Sequence, residues 1–266
     1  MTQTGWLRRD GLNLAVHGGG SDGPPMIFQH GLCGDARQVA EAMAGLAPQR
    51  WQALECRGHG ASDLDETVSI PAFSADVAAL IERAGEPVVL GGISMGAAIA
   101  THIAVHRPDL VRALVLVRPV WMVGPAPRCG APNAEVGALL AELPPDEART
   151  RFAASETAHR LGLESPDNLA SLMGFFQRQP LAQTARLLSE IARCDPGFSI
   201  DDLKQIDHPT LVCGCAEDAI HPLPIAKATA QLIPGAIMVE LPPKGRDKPA
   251  HLAALAAAIR HFLQEL

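Results

Sequence analysis

The chain is most constrained at Val88 to Ala98, VVLGGISMGAA, where an apolar run stops at two glycines, turns through Ser94 and resumes as a run of small residues. A Gly-x-Ser-x-Gly pattern (Gly92, Ile93, Ser94, Met95, Gly96) makes physical sense in such a setting. A sharp strand-to-helix turn strains the serine backbone and brings neighbouring segments close, so the flanking positions must lack side chains. The turn would lift the Ser94 Oγ above the C-terminal edge of a parallel sheet. The N–H groups and positive dipole end of the following helix would then face a charge developing there. As a bare pattern it is weak; preceded by PVVLGG and followed by AAIATHIAVHRPDLVRALVLV, it specifies a nucleophile elbow.

At 266 residues the chain is long for a single core but suits one α/β domain with an insertion. Hydrophobic residues make up 47%, yet no apolar run approaches the ~20 residues that span a bilayer. The start, MTQTGWLRRDG, has no apolar stretch behind its arginines, which predicts a cytoplasmic protein without a secretory signal. Six cysteines, Cys33, Cys56, Cys129, Cys194, Cys213 and Cys215, lack metal-ligand spacing and read as reduced packing residues. No metal or cofactor is called for. The net charge of −7 offers no basic patch for phosphates and argues against nucleic acid and anionic membranes as partners. A small-molecule substrate is the expected partner, and oligomeric state is not encoded in any pattern.

Residues 11 to 31 read as a strand, a Gly/Ser/Asp/Pro turn and a buried strand, MIFQH. The glycine-rich turn His30-Gly31-Leu32-Cys33-Gly34 follows directly, a place where backbone N–H groups can face an oxyanion. A helix is expected over Asp35 to Ala47, then the strand of WQALEC and the turn Arg57-Gly58-His59-Gly60-Ala61-Ser62-Asp63. Phe73 to Ala84 has amphipathic helical spacing, with Asp76 as a solvated or loop-bracing group. Beyond the elbow, a helix over Ala97 to Val105 and a strand over Ala113 to Val117 lead to Arg118-Pro119-Val120-Trp121.

The succession of His30-Gly31, Arg57-Gly58-His59-Gly60-x-Ser62, Gly92-x-Ser94-x-Gly96 and the strand after Arg-Pro-Asp-Leu-Val closely resembles the α/β-hydrolase superfamily. The resemblance is dense over roughly residues 10 to 120 and looser over 205 to 266. It implies a doubly wound, mostly parallel sheet with an inserted helical lid: core over 1–121 and 207–266, lid over 122–206. It also implies an oxyanion hole from the N–H groups of Leu32 and Met95, and a structural role for His59 in bracing its loop.

Arg118 stands at a strand end facing the ligand crevice, where its fork either takes a substrate carboxylate or closes a structural salt bridge. Trp121, at the hinge between sheet and lid, is the expected pocket wall. Within the lid, helices are expected over Ala134 to Glu142, Asp146 to Leu161, Asp167 to Gln179 and Ala182 to Cys194. The strand TLVCGC, Thr210 to Cys215, then leads to AEDAIHP, where Asp218 with Pro222 fits the acid position of a Ser–acid–His triad, and Glu217 is the second choice.

After the last strand, Ala236 to Leu241, the resemblance breaks. Relatives place Gly-His about seventeen residues before the Phe-Leu that closes the final helix; here that stretch holds Gly245-Arg246. Arginine stays protonated and cannot take the serine proton. Three readings follow. His251 supplies the base from the first turn of the final helix, which is the leading assignment; His221 supplies it from the loop after Asp218; or there is no base. The expected function is a serine hydrolase of small carboxylic esters, thioesters or lactones through an acyl-enzyme on Ser94. The alternative is a hydrolase-fold binding protein or non-hydrolytic enzyme. A serine at this position disfavours haloalkane dehalogenase and epoxide hydrolase chemistry, which use aspartate.

Overall fold

Strand β5 (Val88–Ile93) and helix α3 (Met95–His106) flank Ser94 in the computed structural model, which describes residues 2–120 and 130–266. The serine sits between them at φ 55° and ψ −109°, well outside the regions an L-residue prefers. A Cβ on Gly92 would come within 2.5 Å of the Gly96 carbonyl carbon, and one on Gly96 within 2.3 Å of the Gln29 carbonyl oxygen. The two glycines are therefore demanded by the close approach of backbone to backbone.

Around this turn the chain builds one eight-stranded sheet in the order β1-β2-β4-β3-β5-β6-β7-β8. Its other strands are β1 (Thr2–Arg9), β2 (Leu12–Gly19), β3 (Asp22–Gln29), β4 (Gln49–Leu54), β6 (Val111–Val117), β7 (Thr210–Cys215) and β8 (Ile237–Leu241). β1 and β2 pair antiparallel, as do β2 and β4; every later pairing is parallel. Sequence order reverses across β3 and β5, so the turns that follow these two strands open into one crevice at the C-terminal edge.

Both faces of the sheet are covered, as its near-continuous apolar strands require. Alternate residues divide between two cores. Ile27, Leu90, Leu114, Leu116 and Val212 pack towards α2 (Ile70–Ala84), α3 and α10 (Leu223–Leu232). Phe28, Val89, Val115, Leu211 and Cys213 pack towards α1 (Ala36–Met43) and α11 (Lys248–Gln264). Between β6 and β7 the chain forms α4 (Ala131–Glu142), α5 (Pro145–Ala153), α6 (Glu156–Glu164), α7 (Pro166–Gly174), α8 (Leu181–Ile191) and the short α9 (Ile200–Leu203).

Two elements differ from expectation. The sequence predicts no strand before Gly11, yet β1 pairs along β2 through the turn Asp10-Gly11, whose φ values of 52° and 81° suit the twist of a tight hairpin. The single helix expected over Asp146 to Leu161 is two, because Ser155 leaves helical geometry and its side chain accepts from the Ala158 N–H at 3.1 Å, capping α6. Trp121 lies outside the described residues, as does Cys129. Among the described residues no helix is long and apolar enough to cross a membrane.

Candidate active site

Three loops at the C-terminal edge converge on Ser94. The first follows β3. His30 and His59, both fully buried, brace it by accepting from the backbone N–H groups of Cys56 and Cys33, each at 3.1 Å. Burial holds both imidazoles below the usual histidine range, so they are neutral acceptors. Asp76 is buried against Arg57, at 2.6 and 2.8 Å, and thereby stiffens the Arg57–Asp63 turn. In the His30–Gly34 turn, Gly31 N–H donates to the Gln38 amide oxygen at 2.7 Å, Cys33 N–H to His59 and Gly34 N–H to the Gly31 carbonyl. Among the described residues the Leu32 N–H has no such partner, nor has the N–H of Met95, which opens α3. Unpaired donors at a helix start are what an anion would meet.

The second loop, after β7, carries the acid and a histidine together. His221 Nδ1 lies 3.0 Å from each oxygen of Asp218, and His221 Nε2 lies 2.9 Å from Ser94 Oγ. With the proton on Nδ1 donated to the carboxylate, Nε2 is left to accept from the serine hydroxyl. The backbone folds the two side chains together: His221 N–H donates to Asp218 Oδ1 at 2.9 Å, closing a three-residue turn. Helix α7 holds this turn in place, since Asn168 Oδ1 accepts from the N–H groups of Ala219 and Ile220 at 2.8 and 3.1 Å. Ser165 Oγ accepts from Ala219 N–H at 3.0 Å.

Asp218 is the most elaborately held group. Burial would raise its carboxyl, but His221 and the Arg118 guanidinium outweigh that and hold it well below the ordinary carboxylate range. Arg118, 8% exposed, donates from Nη1 to Asp218 Oδ2 at 3.0 Å. Of the two roles the sequence leaves open for Arg118, the ion pair is the one formed.

The third loop, after β8, leads to His251, the leading candidate for the base in the sequence. His251 does not meet Ser94: its Nδ1 is hydrogen-bonded to the Pro242 carbonyl at 2.9 Å, and its ring is buried in the first turn of α11. The segment between β8 and α11 is short, and its charges are spent on neighbours: Lys244 on Asp167 at 2.8 Å, and Arg246 on Glu217 at 2.7 Å. Glu217, the second-choice acid, is thus an outward ion-pair partner.

Beside the serine lies a cavity of about 140 Å³ lined by Leu32, Ile93, Val120, Leu172, Phe175 and Ile220 among its apolar residues, with Arg118, Asn168, His221 and Lys244 among the polar ones. Asn168, Gln38 and Arg178, whose Nε donates to the Cys33 carbonyl at 2.8 Å, were not singled out in the sequence. A polar residue inside a helix, such as Asn168 or Gln38, or just past one, such as Arg178, gives no pattern that marks it as a brace.

The family model described as "Alpha/beta hydrolase family" matches residues 14–259. The chain belongs to that family. A protein of Mycobacterium tuberculosis named as a non-heme bromoperoxidase, BpoC, is 28% identical over 242 residues, covering 88% of this chain and 90% of its own length. The sn-1-specific diacylglycerol lipase ABHD11 of Xenopus tropicalis is 31% identical over 126 residues, 46% of this chain and 39% of the lipase. Among solved structures, a thermophilic esterase from Thermogutta terrifontis superposes with a TM-score of 0.72 at 24% identity, covering 99% of this chain and 98% of the esterase, a likeness of fold. Membership in the family supports hydrolase activity for this chain.

Proposed function

We propose that this α/β-hydrolase is a serine hydrolase of small carboxylic esters, thioesters or lactones, with Ser94 as nucleophile, His221 as general base and Asp218 as the orienting acid. The observation that carries the proposal is the continuous chain from Ser94 Oγ to His221 Nε2 at 2.9 Å and from His221 Nδ1 to Asp218 at 3.0 Å. Ser94 Oγ attacks the acyl carbonyl and gives its proton to Nε2. The tetrahedral oxyanion is held by the N–H groups of Leu32 and Met95. As the intermediate collapses, the leaving alcohol, thiol or tethered oxygen takes the proton from Nε2, leaving an ester on Ser94. Water then attacks that ester with the same imidazole as base, releasing the acid and restoring the serine.

The helical segment between β6 and β7 serves as a lid, and its α7 and Phe175 close the cavity over the serine. A cavity of about 140 Å³ with this apolar wall suits a short acyl chain better than a long one. The ground for a non-catalytic binding protein was the missing base after β8; a histidine at hydrogen-bond distance from Ser94 favours the hydrolase. The test combines a fluorophosphonate probe with short-chain p-nitrophenyl esters. Labelling at Ser94 and ester turnover, both lost in S94A, are expected; an unlabelled serine in folded protein, with no turnover, would refute the proposal.

A further inference from the structure

Arg118 occupies a costly position. Its backbone is left-handed, φ 49°, at the end of β6, and is fixed by its own N–H donating to the Cys213 carbonyl at 2.7 Å. Its guanidinium is buried with one arm on Asp218, and among the described residues Nε has no partner. A buried cation is retained at such a price only where something holds it or uses it. Resting on the Ser94–His221–Asp218 assignment, we propose that Arg118 is a positioning residue for hydrolysis: it fixes the orientation of Asp218 and, through it, that of the His221 ring.

Asp218 Oδ2 is shared between His221 Nδ1 and Arg118 Nη1, both at 3.0 Å, while Oδ1 also takes the His221 N–H at 2.9 Å. The carboxylate therefore cannot rotate away from the imidazole without breaking an ion pair. Other charged groups around the pair do not hold the acid in this way. Lys244 shares the cavity but is neutralised by Asp167 from α7. His251 on α11 is kept neutral by burial. Glu217 and Arg246 bind one another on the exposed side of the loop, and Ser94 is uncharged in the resting site. Arg118 is thus the cation that acts on the acid itself.

The test is the kinetics of p-nitrophenyl acetate hydrolysis in wild type, R118M, R118Q and R118K. In R118M and R118Q kcat falls roughly tenfold or more, while KM changes less than about threefold. R118K keeps a charged donor to Asp218, so most of kcat returns. An unchanged kcat in the uncharged variants would overturn the proposal. So would a raised KM at unchanged kcat, which would make Arg118 a substrate-binding group using its free Nε. If neither uncharged variant folds, R118K decides: a KM raised with kcat unchanged overturns it, and most of the wild-type kcat at an unchanged KM supports it. Fluorophosphonate labelling of wild-type Ser94 separates the two levels. An unlabelled, inactive wild type fails the hydrolase assignment and this proposal with it; a labelled, active wild type with kcat unchanged in the uncharged variants fails this proposal alone.

Discussion

Ser94 is held at φ 55° by the residues packed around it, and the strain is affordable only while Gly92 and Gly96 let three backbones meet. Adding one methyl group at either glycine would drive it into backbone atoms at 2.5 or 2.3 Å, which cannot move aside as a side-chain end would. G92A and G96A are each expected to lose about 1–3 kcal/mol in urea unfolding. A loss below about 0.5 kcal/mol would mean that the turn tolerates a Cβ after all. The residues at the elbow were legible in the sequence because this steric demand leaves a spaced pattern. The base was less legible. Asp218 and His221 are three residues apart, and the fold of their turn, closed by the His221 N–H on the carboxylate, is what aims the imidazole at Ser94. Counting residues after β8 by analogy with relatives gives Arg246; His251, expected to reach the serine from the first turn of the final helix, has its ring on the Pro242 carbonyl.

Helix α7 and the loop after β7 act as a unit, since Asn168 and Ser165 accept the N–H groups of Ala219 and Ile220. N168A should leave two loop N–H groups without their main acceptor and let the imidazole drift from the serine. A fall in kcat/KM of roughly tenfold is expected, larger in S165A/N168A, with an unfolding midpoint within a few degrees of wild type. Full activity in the double variant would show that the loop holds His221 unaided. Elements with strong periodicity or apolar runs, such as β5, β7 and α2, stand in the structure close to where their sequences put them. β1 was missed because TQTGWLRR has no run of apolar residues; it is an edge strand whose place comes from pairing with β2. The break between α5 and α6 depends on a cap at Ser155 that the apolar spacing does not register.

Across the whole molecule, neutral histidines are built into the floor of the site. Burial lowers His30 and His59 below the ordinary imidazole value of about 6.5, and both are fully enclosed. In the unfolded chain they take up protons below that value while the folded protein does not. Their stabilising contribution is therefore intact above about pH 6.5 and is lost as pH falls, by up to about 1.4 kcal/mol per pH unit for each. Urea unfolding at descending pH should show this decline beginning near pH 6.5. A stability that stays flat down to pH 5 would contradict neutral burial. The edge of the sheet, by contrast, was readable at this scale from the strand and helix order, because a parallel doubly wound sheet leaves one place for loops after β3, β5 and β7 to meet.

The central claim is that His221, and not His251, takes the proton from Ser94. The second-order rate of Ser94 labelling by a fluorophosphonate, compared between wild type, H221A and H251A at pH 8 or so, measures this directly. Labelling is expected to slow by about a thousandfold or more in H221A and to stay within about threefold of wild type in H251A, with both variants folded by circular dichroism. Rapid labelling in H221A together with loss of labelling in folded H251A would contradict it.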